Sequence, residues 1–191
     1  MSFMTEREKK IIEAAGEVFL RYGVKRTTMN DIAQEAGIAR QTLYNAFANK
    51  DQVLRALIRN FNETAIEAIT QSIETADGPS EKLDALFAHM ILKPYDLLNS
   101  SPHAQDFLEG MNAAAREEIA ATENEYLTLI ENILTPQADA IERTGMTVPG
   151  LAELIYCSAK GAKYHTQSRA QLKRVLQSLQ TTVLLLVSED L

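Results

Sequence analysis

The stretch from residue 27 to residue 54, TTMNDIAQEAGIARQTLYNAFANKDQVL, decides the fold. Thr28 can cap a helix, with Asp31 three residues on at its positive end. Ile32 and Ala36 then share one face, and Gly37 stops the helix. Ile38 opens a second short helix in which Leu43 and Phe47 continue the apolar stripe at a spacing of four. Arg40, Gln41, Thr42, Tyr44 and Asn45 fall on its other face. Two short helices joined by a Gly-containing turn, the second presenting hydrogen-bonding side chains outward, form a helix-turn-helix pattern. Asn49 starts another helix, with Gln52 completing its capping pattern and Lys50 in its first turn.

Upstream, residues 5–22 read as a helix with a Thr5/Glu8 capping box and Gly23 just past its end. Its stripe of Ile12, Ala15, Phe19 and Tyr22 can cover the helix-turn-helix. Three helices around Phe19, Ile32, Leu43 and Phe47 make a small core that needs help from the next helix. That helix runs from Asn49 through Val53, Leu54, Leu57, Ile58, Phe61 and Ile69 to about Thr75 without Gly or Pro. Some 26 residues at 1.5 Å each span roughly 40 Å. Such a rod is either a lever between two parts of the chain or a long helix that simply packs.

Asp77-Gly78-Pro79-Ser80 is a break, after which Ser80 can cap a helix carrying Leu83, Leu86, Phe87 and Met90. Pro94 kinks or ends that helix. Ser101-Pro102 restarts the chain as a cap followed by a first-turn proline. From His103 to about Thr144 the pattern is helical, with Leu127, Ile130, Leu134 and Ile141 on one face. Pro136 kinks this segment or marks its end. Residues 145–150 form the next loop. Leu151, Leu154, Ile155, Ser158 and Ala162 stripe the following helix, and Leu172, Val175, Leu176, Leu179, Val183 and Leu186 stripe the last. No alternation of strand type, internal repeat or low-complexity tract interrupts the series.

The net charge of −7 looks wrong for a nucleic-acid binder until it is divided. Residues 1–60 hold ten Lys/Arg and seven Asp/Glu, a balance of +3, and residues 61–191 hold nine and nineteen, a balance of −10. A basic head on an acidic body can hold phosphate at one end while the body is repelled from the duplex. The single cysteine, Cys157, excludes an internal disulfide framework and suits a reducing cytoplasm. The first residues, MSFMTEREKK, are charged with no apolar segment behind them, unlike a signal peptide. The longest apolar run, residues 183–187, is too short to cross a bilayer.

The string IAQEAGIARQTLYNAFANKDQVL resembles the DNA-binding signature of the TetR family of bacterial transcriptional regulators, with IA, AG, TLY, F and K in register. The likeness covers roughly the first sixty residues, and the rest is similar to the family in helical layout and length. Ser often stands in the family where this chain has Ala39, and Gly where it has Gln41. Both positions open the second helix, so the departures bear on operator sequence and leave the fold expectation alone. The resemblance implies an all-α chain of about nine helices. A helix-turn-helix DNA-binding domain at residues 1–50, with the start of the fourth helix to about 60, would precede an effector-binding and dimerisation domain at 51–191.

A recognition helix points its N-terminal residues at base edges in the major groove. Arg40 can donate twice to guanine and Gln41 can pair both ways with adenine, with Asn30 and Asn45 as further candidates. Thr27, Thr42, Tyr44 and Lys50 match family positions that bind phosphate, and hydroxyls, a phenol and an ammonium suit that task. Lys25, Arg26, Arg7, Lys9 and Lys10 add salt-sensitive attraction. One head makes few contacts, so specific affinity calls for a homodimer on a roughly palindromic operator. In the family the last two helices make the dimer as a four-helix bundle. The residues this implies are Leu151, Leu154, Ser158, Ala162, Leu172, Val175, Leu176, Leu179 and Val183.

The resemblance also implies a small-molecule pocket in the body. Phe87, Met90, Tyr95, Phe107, Met111, Tyr126 and Tyr156 are its candidate lining, although ordinary core packing suits each of them too. Catalysis has little support. His89, His103 and His165 are scattered without metal-ligand spacing, and neither a glycine-rich phosphate loop nor a nucleophile elbow is present. Cys157, within a small-residue helix, is expected to be packed rather than redox-active. No metal or cofactor is expected. The implied function is a cytoplasmic repressor released from its operator by a small effector. Alternatives are a regulator controlled by a protein partner or by no ligand, and a helical enzyme or adaptor that carries the motif.

Overall fold

The structure, a computed structural model, describes residues 4–100, 103 and 116–188, and among these every regular element is helical. They pack as two compact units: residues up to Glu63 with those from Leu97 to Ala120, and the span from Thr64 to Asp96 with the chain from Ala121 onward.

In the first unit α1 (Glu6–Tyr22) begins at the expected capping box: Thr5 Oγ1 accepts from the Glu8 amide at 3.2 Å, and the Glu8 carboxylate accepts from the Thr5 amide at 2.8 Å. It stops at Gly23, whose φ of 84° a side chain would resist. α2 (Met29–Glu35) repeats the device with Thr28 and Asp31, and Gly37 at φ 63° turns the chain. α3 (Arg40–Ala46) starts two residues later than the expected Ile38. Ala39 stands at its cap without a side-chain acceptor, while the Ile38 amide is held by the Ala33 carbonyl at 3.0 Å. α4 (Lys50–Thr75) begins where the Asn49 side chain accepts from the Gln52 amide and Gln52 from the Ala48 amide, both at 2.9 Å. Phe19, Ile32, Leu43 and Phe47 share one core, joined by Ile11, Ile12, Val53, Leu54 and Ile58. Tyr22 corrects the expected α1 stripe: it is exposed, beyond the end of that core, and its ring lies against the Arg21 guanidinium instead.

The second unit takes the rest of α4, then α5 (Gly78–Phe87), a π-helical turn (Ala88–Leu92) and α6 (Lys93–Asn99), whose end belongs to the first unit. Asp77, not Ser80, occupies the cap position of α5, and Gly78 and Pro79 fall inside its first turn. Ser80 instead accepts from the buried Gln180 amide at its carbonyl (2.8 Å) and hydroxyl (3.3 Å). Pro94 does not end the helical run: it stands in the first turn of α6. It follows the widened π turn, which relieves the clash its ring would make with the carbonyl four residues back. The expected restart at Ser101-Pro102 lies outside the described residues.

α7 (Arg116–Leu134) ends at a 3-10 turn (Thr135–Gln137) holding Pro136, and α8 (Ala138–Arg143) follows. The next loop is shorter than expected, because Thr147 caps α9 (Val148–His165) by accepting from the Gly150 amide at 3.2 Å. α10 (Arg169–Leu186) closes the described chain, capped by Ser168. The core joins Ile69, Leu83, Leu86, Ile130, Leu134 and Ile141 to the inner faces of α9 and α10.

Those inner faces correct the expected dimer surface. Leu151, Leu172, Leu176 and Val183 are buried in the unit's own core and are not available to a second copy. Leu154 and Val175 are 47% and 41% exposed, and Ser158, Ala162 and Leu179 are partly buried. Both helices are apolar on two faces, and a spacing of three and four merged the two into one stripe. Among the described residues no helix is long and apolar enough to cross a membrane.

Candidate nucleic-acid interface

α3 supplies the exposed chemistry because Leu43, at its centre, is wholly buried and fixes which way the helix faces. With Leu43 inward, Arg40, Gln41, Tyr44 and Asn45 are exposed and Thr42 is half-buried. Two side-chain pairs run along the outer face one turn apart. Gln41 Nε2 donates to Asn45 Oδ1 at 3.0 Å, and Arg40 Nη2 lies 3.4 Å from the Tyr44 hydroxyl with its guanidinium 5.4 Å from the ring centroid. Each pair limits the rotamers of groups that have no core contact to fix them. Arg40 and Gln41 occupy the first two positions of the helix, where a groove-bound helix meets base edges. Asn30, exposed at the second position of α2, is near the other helix start.

Thr27 and Lys50 are placed differently from the free phosphate ligands the sequence suggested. Thr27 is only 2% exposed, and its hydroxyl donates to the Gly23 carbonyl at 2.8 Å. The part-buried Lys50 ammonium donates to the Val24 carbonyl at 2.6 Å and to the Thr27 carbonyl at 2.9 Å. An ammonium has three donors, so one is left for an anion. Lys50 is therefore a buckle between the start of α4 and the turn joining α1 to α2. The sequence hid this role, since carbonyls that need a donor carry no residue signature and lie 23 and 26 positions away.

Asp31, Glu8 and Glu35 are each engaged by neighbours. The Thr28 amide and hydroxyl hold Asp31 below the usual carboxylate range, and those of Thr5 do the same for Glu8. Arg21 donates through both terminal nitrogens to Glu35 at 3.3 Å, tying α1 to α2. A hollow beside that pair is lined by Val18, Tyr22, Arg26, Asp31, Gln34 and His103.

Of the candidate pocket residues, Phe87, Met90, Tyr126 and Tyr156 are buried in the second unit's core and Tyr95 is partly buried against it. The Tyr126 and Tyr156 rings lie 6.3 Å apart. Phe107 and Met111 lie outside the described residues. Cys157 is exposed, contrary to its expected packing, because it falls on the outer side of α9. Among the described residues no group of three or more His, Cys, Asp or Glu side chains is placed to hold a metal ion.

Residues 11–57 match the family model described as bacterial regulatory proteins, tetR family. The chain is 36% identical over 81 residues to the HTH-type transcriptional repressor KstR2 of Mycolicibacterium smegmatis, covering 42% of this chain and 40% of that one. It is 30% identical over 152 residues to the fatty acid metabolism regulator protein of Bacillus subtilis, covering 77% and 76% of the two chains. In three dimensions it is similar to the transcriptional regulator FadR from Bacillus subtilis in complex with stearoyl-CoA. The TM-score is 0.65 at 22% identity, over 94% of this chain and 97% of that one. The chain thus spans about two fifths of the KstR2 repressor's length but three quarters of the fatty acid regulator's. With that second likeness extending well beyond the helix-turn-helix, the chain belongs to the TetR family of bacterial regulatory proteins.

Proposed function

We propose that this protein is a DNA-binding transcriptional repressor that acts as a homodimer and leaves its operator when a small molecule binds the second unit. The observation that carries the reading is the outer face of α3, where Arg40, Gln41 and Asn45 stand exposed while Leu43 holds the helix against its core. In this reading Arg40 and Gln41 address bases from the major groove, and Asn30 and Asn45 address flanking positions. Thr42, Tyr44 and the remaining Lys50 donor hold phosphate. Thr27 serves the interface through its backbone turn rather than its hydroxyl. Family membership and the positive balance of residues 1–60 support this assignment.

The second copy joins through the outer faces of α9 and α10, where Leu154, Val175 and Leu185 stay exposed. Two heads then reach successive major grooves about 34–36 Å apart. An effector releases the operator if it binds more tightly to the conformer whose head spacing does not fit. The fatty acid and stearoyl-CoA associations of the Bacillus subtilis regulators favour an apolar or amphiphilic effector. The domain boundary belongs near Glu63, since the first core takes in Val53, Leu54 and Ile58 of α4.

Selection of duplexes from a random pool tests the reading directly. The full chain should enrich an inverted repeat, and a fatty acid or acyl-CoA should abolish that enrichment. Enrichment of no sequence, or enrichment unchanged in the Arg40→Ala/Gln41→Ala double variant, would sink it.

A further inference from the structure

On α9 of the second unit, Lys160 and Lys163 sit one turn apart, and both side chains are largely withdrawn from water. Lys160 Nζ lies 5.5 Å from the Tyr156 ring centroid and Lys163 Nζ 5.4 Å from that of Tyr164. Neither ammonium has a hydrogen-bond or ion-pair partner among the described residues. Among the described residues one carboxylate, Glu123 of α7, is close enough to favour the charge on Lys160, and none does so for Lys163, which Lys160 repels. Burial, reinforced by that repulsion, brings the Lys163 ammonium down to about 8. A half-dry cluster with two cations and one anion is an unfavourable arrangement for the chain alone. An anion arriving from outside would relieve it.

The surroundings say what else that anion carries. Tyr156 stands beside Lys160 with Tyr126 next to it, and both rings belong to the same apolar cluster as Phe87 and Met90. Burial holds the Tyr126 hydroxyl up at about 12, so it stays a neutral donor across the physiological range. Cations with aromatic walls fit a charged end joined to an apolar body.

We propose that Lys160 and Lys163, beside the Tyr156 ring and its neighbour Tyr126, form a binding site for the carboxylate or phosphate head group of an amphiphilic small molecule. That this molecule is also the effector rests on the repressor reading above.

Titration calorimetry on the full chain tests the site with four probes: dodecanoate, dodecanoyl-CoA, dodecanol and dodecylamine. Either anion should bind roughly tenfold or more tightly than the alcohol or the amine. The variant Lys160→Met/Lys163→Met, and Lys163→Met by itself, should lose that margin while keeping the affinity for dodecanol. Circular dichroism reports that both variants are folded, and replacing a poorly hydrated ammonium by a thioether favours folding. Binding of dodecanoate assigns a carboxylate head. Binding of dodecanoyl-CoA and of free coenzyme A, without dodecanoate, assigns a phosphate. Equal affinity for anion and amine, or an anion margin that survives the double variant, overturns the site. DNA retention, measured alongside, separates the two claims. Lysine-dependent anion binding that never disturbs the DNA complex leaves the site standing and removes the effector role. Release by dodecanol with the lysines indifferent does the reverse.

Discussion

Gln41 and Lys50 show why a residue's type does not settle its task. Gln41 ends in a solvent-facing amide that can exchange its partner Asn45 for a base edge. Gln41→Ala should therefore relax base preference at one operator position by about 1–3 kcal/mol and leave affinity for random duplex nearly unchanged. Competition binding with single-base operator variants measures this. Lys50, by contrast, is tied to two backbone carbonyls. Lys50→Met should destabilise the fold in the absence of any DNA, by about 1–3 kcal/mol in denaturant unfolding. A variant as stable as the parent would make Lys50 a phosphate ligand only. Lys163 adds a pH effect whose sign follows from its depressed ammonium. Between pH 8 and 10 the unfolded chain holds this proton more firmly than the folded one, so stability rises with pH across that window. Lys160 and Tyr164 face the group, Glu123 and Tyr156 lie beyond them next to Lys160, and burial keeps Tyr156 protonated throughout. Lys163→Met should flatten the rise and stabilise the protein at pH 7 by about 1 to 2 kcal/mol, allowing for its partial exposure. Thermal unfolding from pH 7 to 10 records both.

At the scale of elements, helix starts were the most legible feature, because a cap is a local hydrogen bond between residues three apart. Thr5 with Glu8, Thr28 with Asp31 and Asn49 with Gln52 all do what their spacing indicated. Removing one should cost what a cap is worth: Thr28→Ala is expected to lower stability by about 1 kcal/mol in the same denaturant assay. Where local signals compete, sequence reading misplaced the start. Asp77 begins α5 in place of the expected Ser80, which instead engages Gln180, one hundred residues away. The answer to Pro94 was of the same kind. A proline inside a helix announces a disturbance, but its spacing does not say that the disturbance is a π turn, which here carries Met90 and Ile91 into the core. The outward side of α3 was readable because its apolar positions are few. The inner and outer faces of α9 and α10 were not, since both are apolar.

For the whole molecule, the proposed dimer makes those two faces the condition for tight operator binding. Leu154 and Val175 are exposed apolar side chains near the middle of each helix and make no contribution to the chain's own core clusters. Introducing charge there, as Leu154→Asp/Val175→Asp, should leave a folded monomer by sedimentation and reduce operator affinity by roughly a hundredfold or more, since one head forgoes half the contacts. A dimer persisting in that variant would place the interface elsewhere. The buckle at Lys50 has a separate consequence for anyone wishing to excise the DNA-reading part. A fragment ending at residue 49 would strip the Val24 and Thr27 carbonyls of their donor and discard Val53, Leu54 and Ile58 with it. The cut that looks natural on paper would thus yield an unfolded peptide, and the smallest autonomous reader must carry the opening turns of the fourth helix along with it.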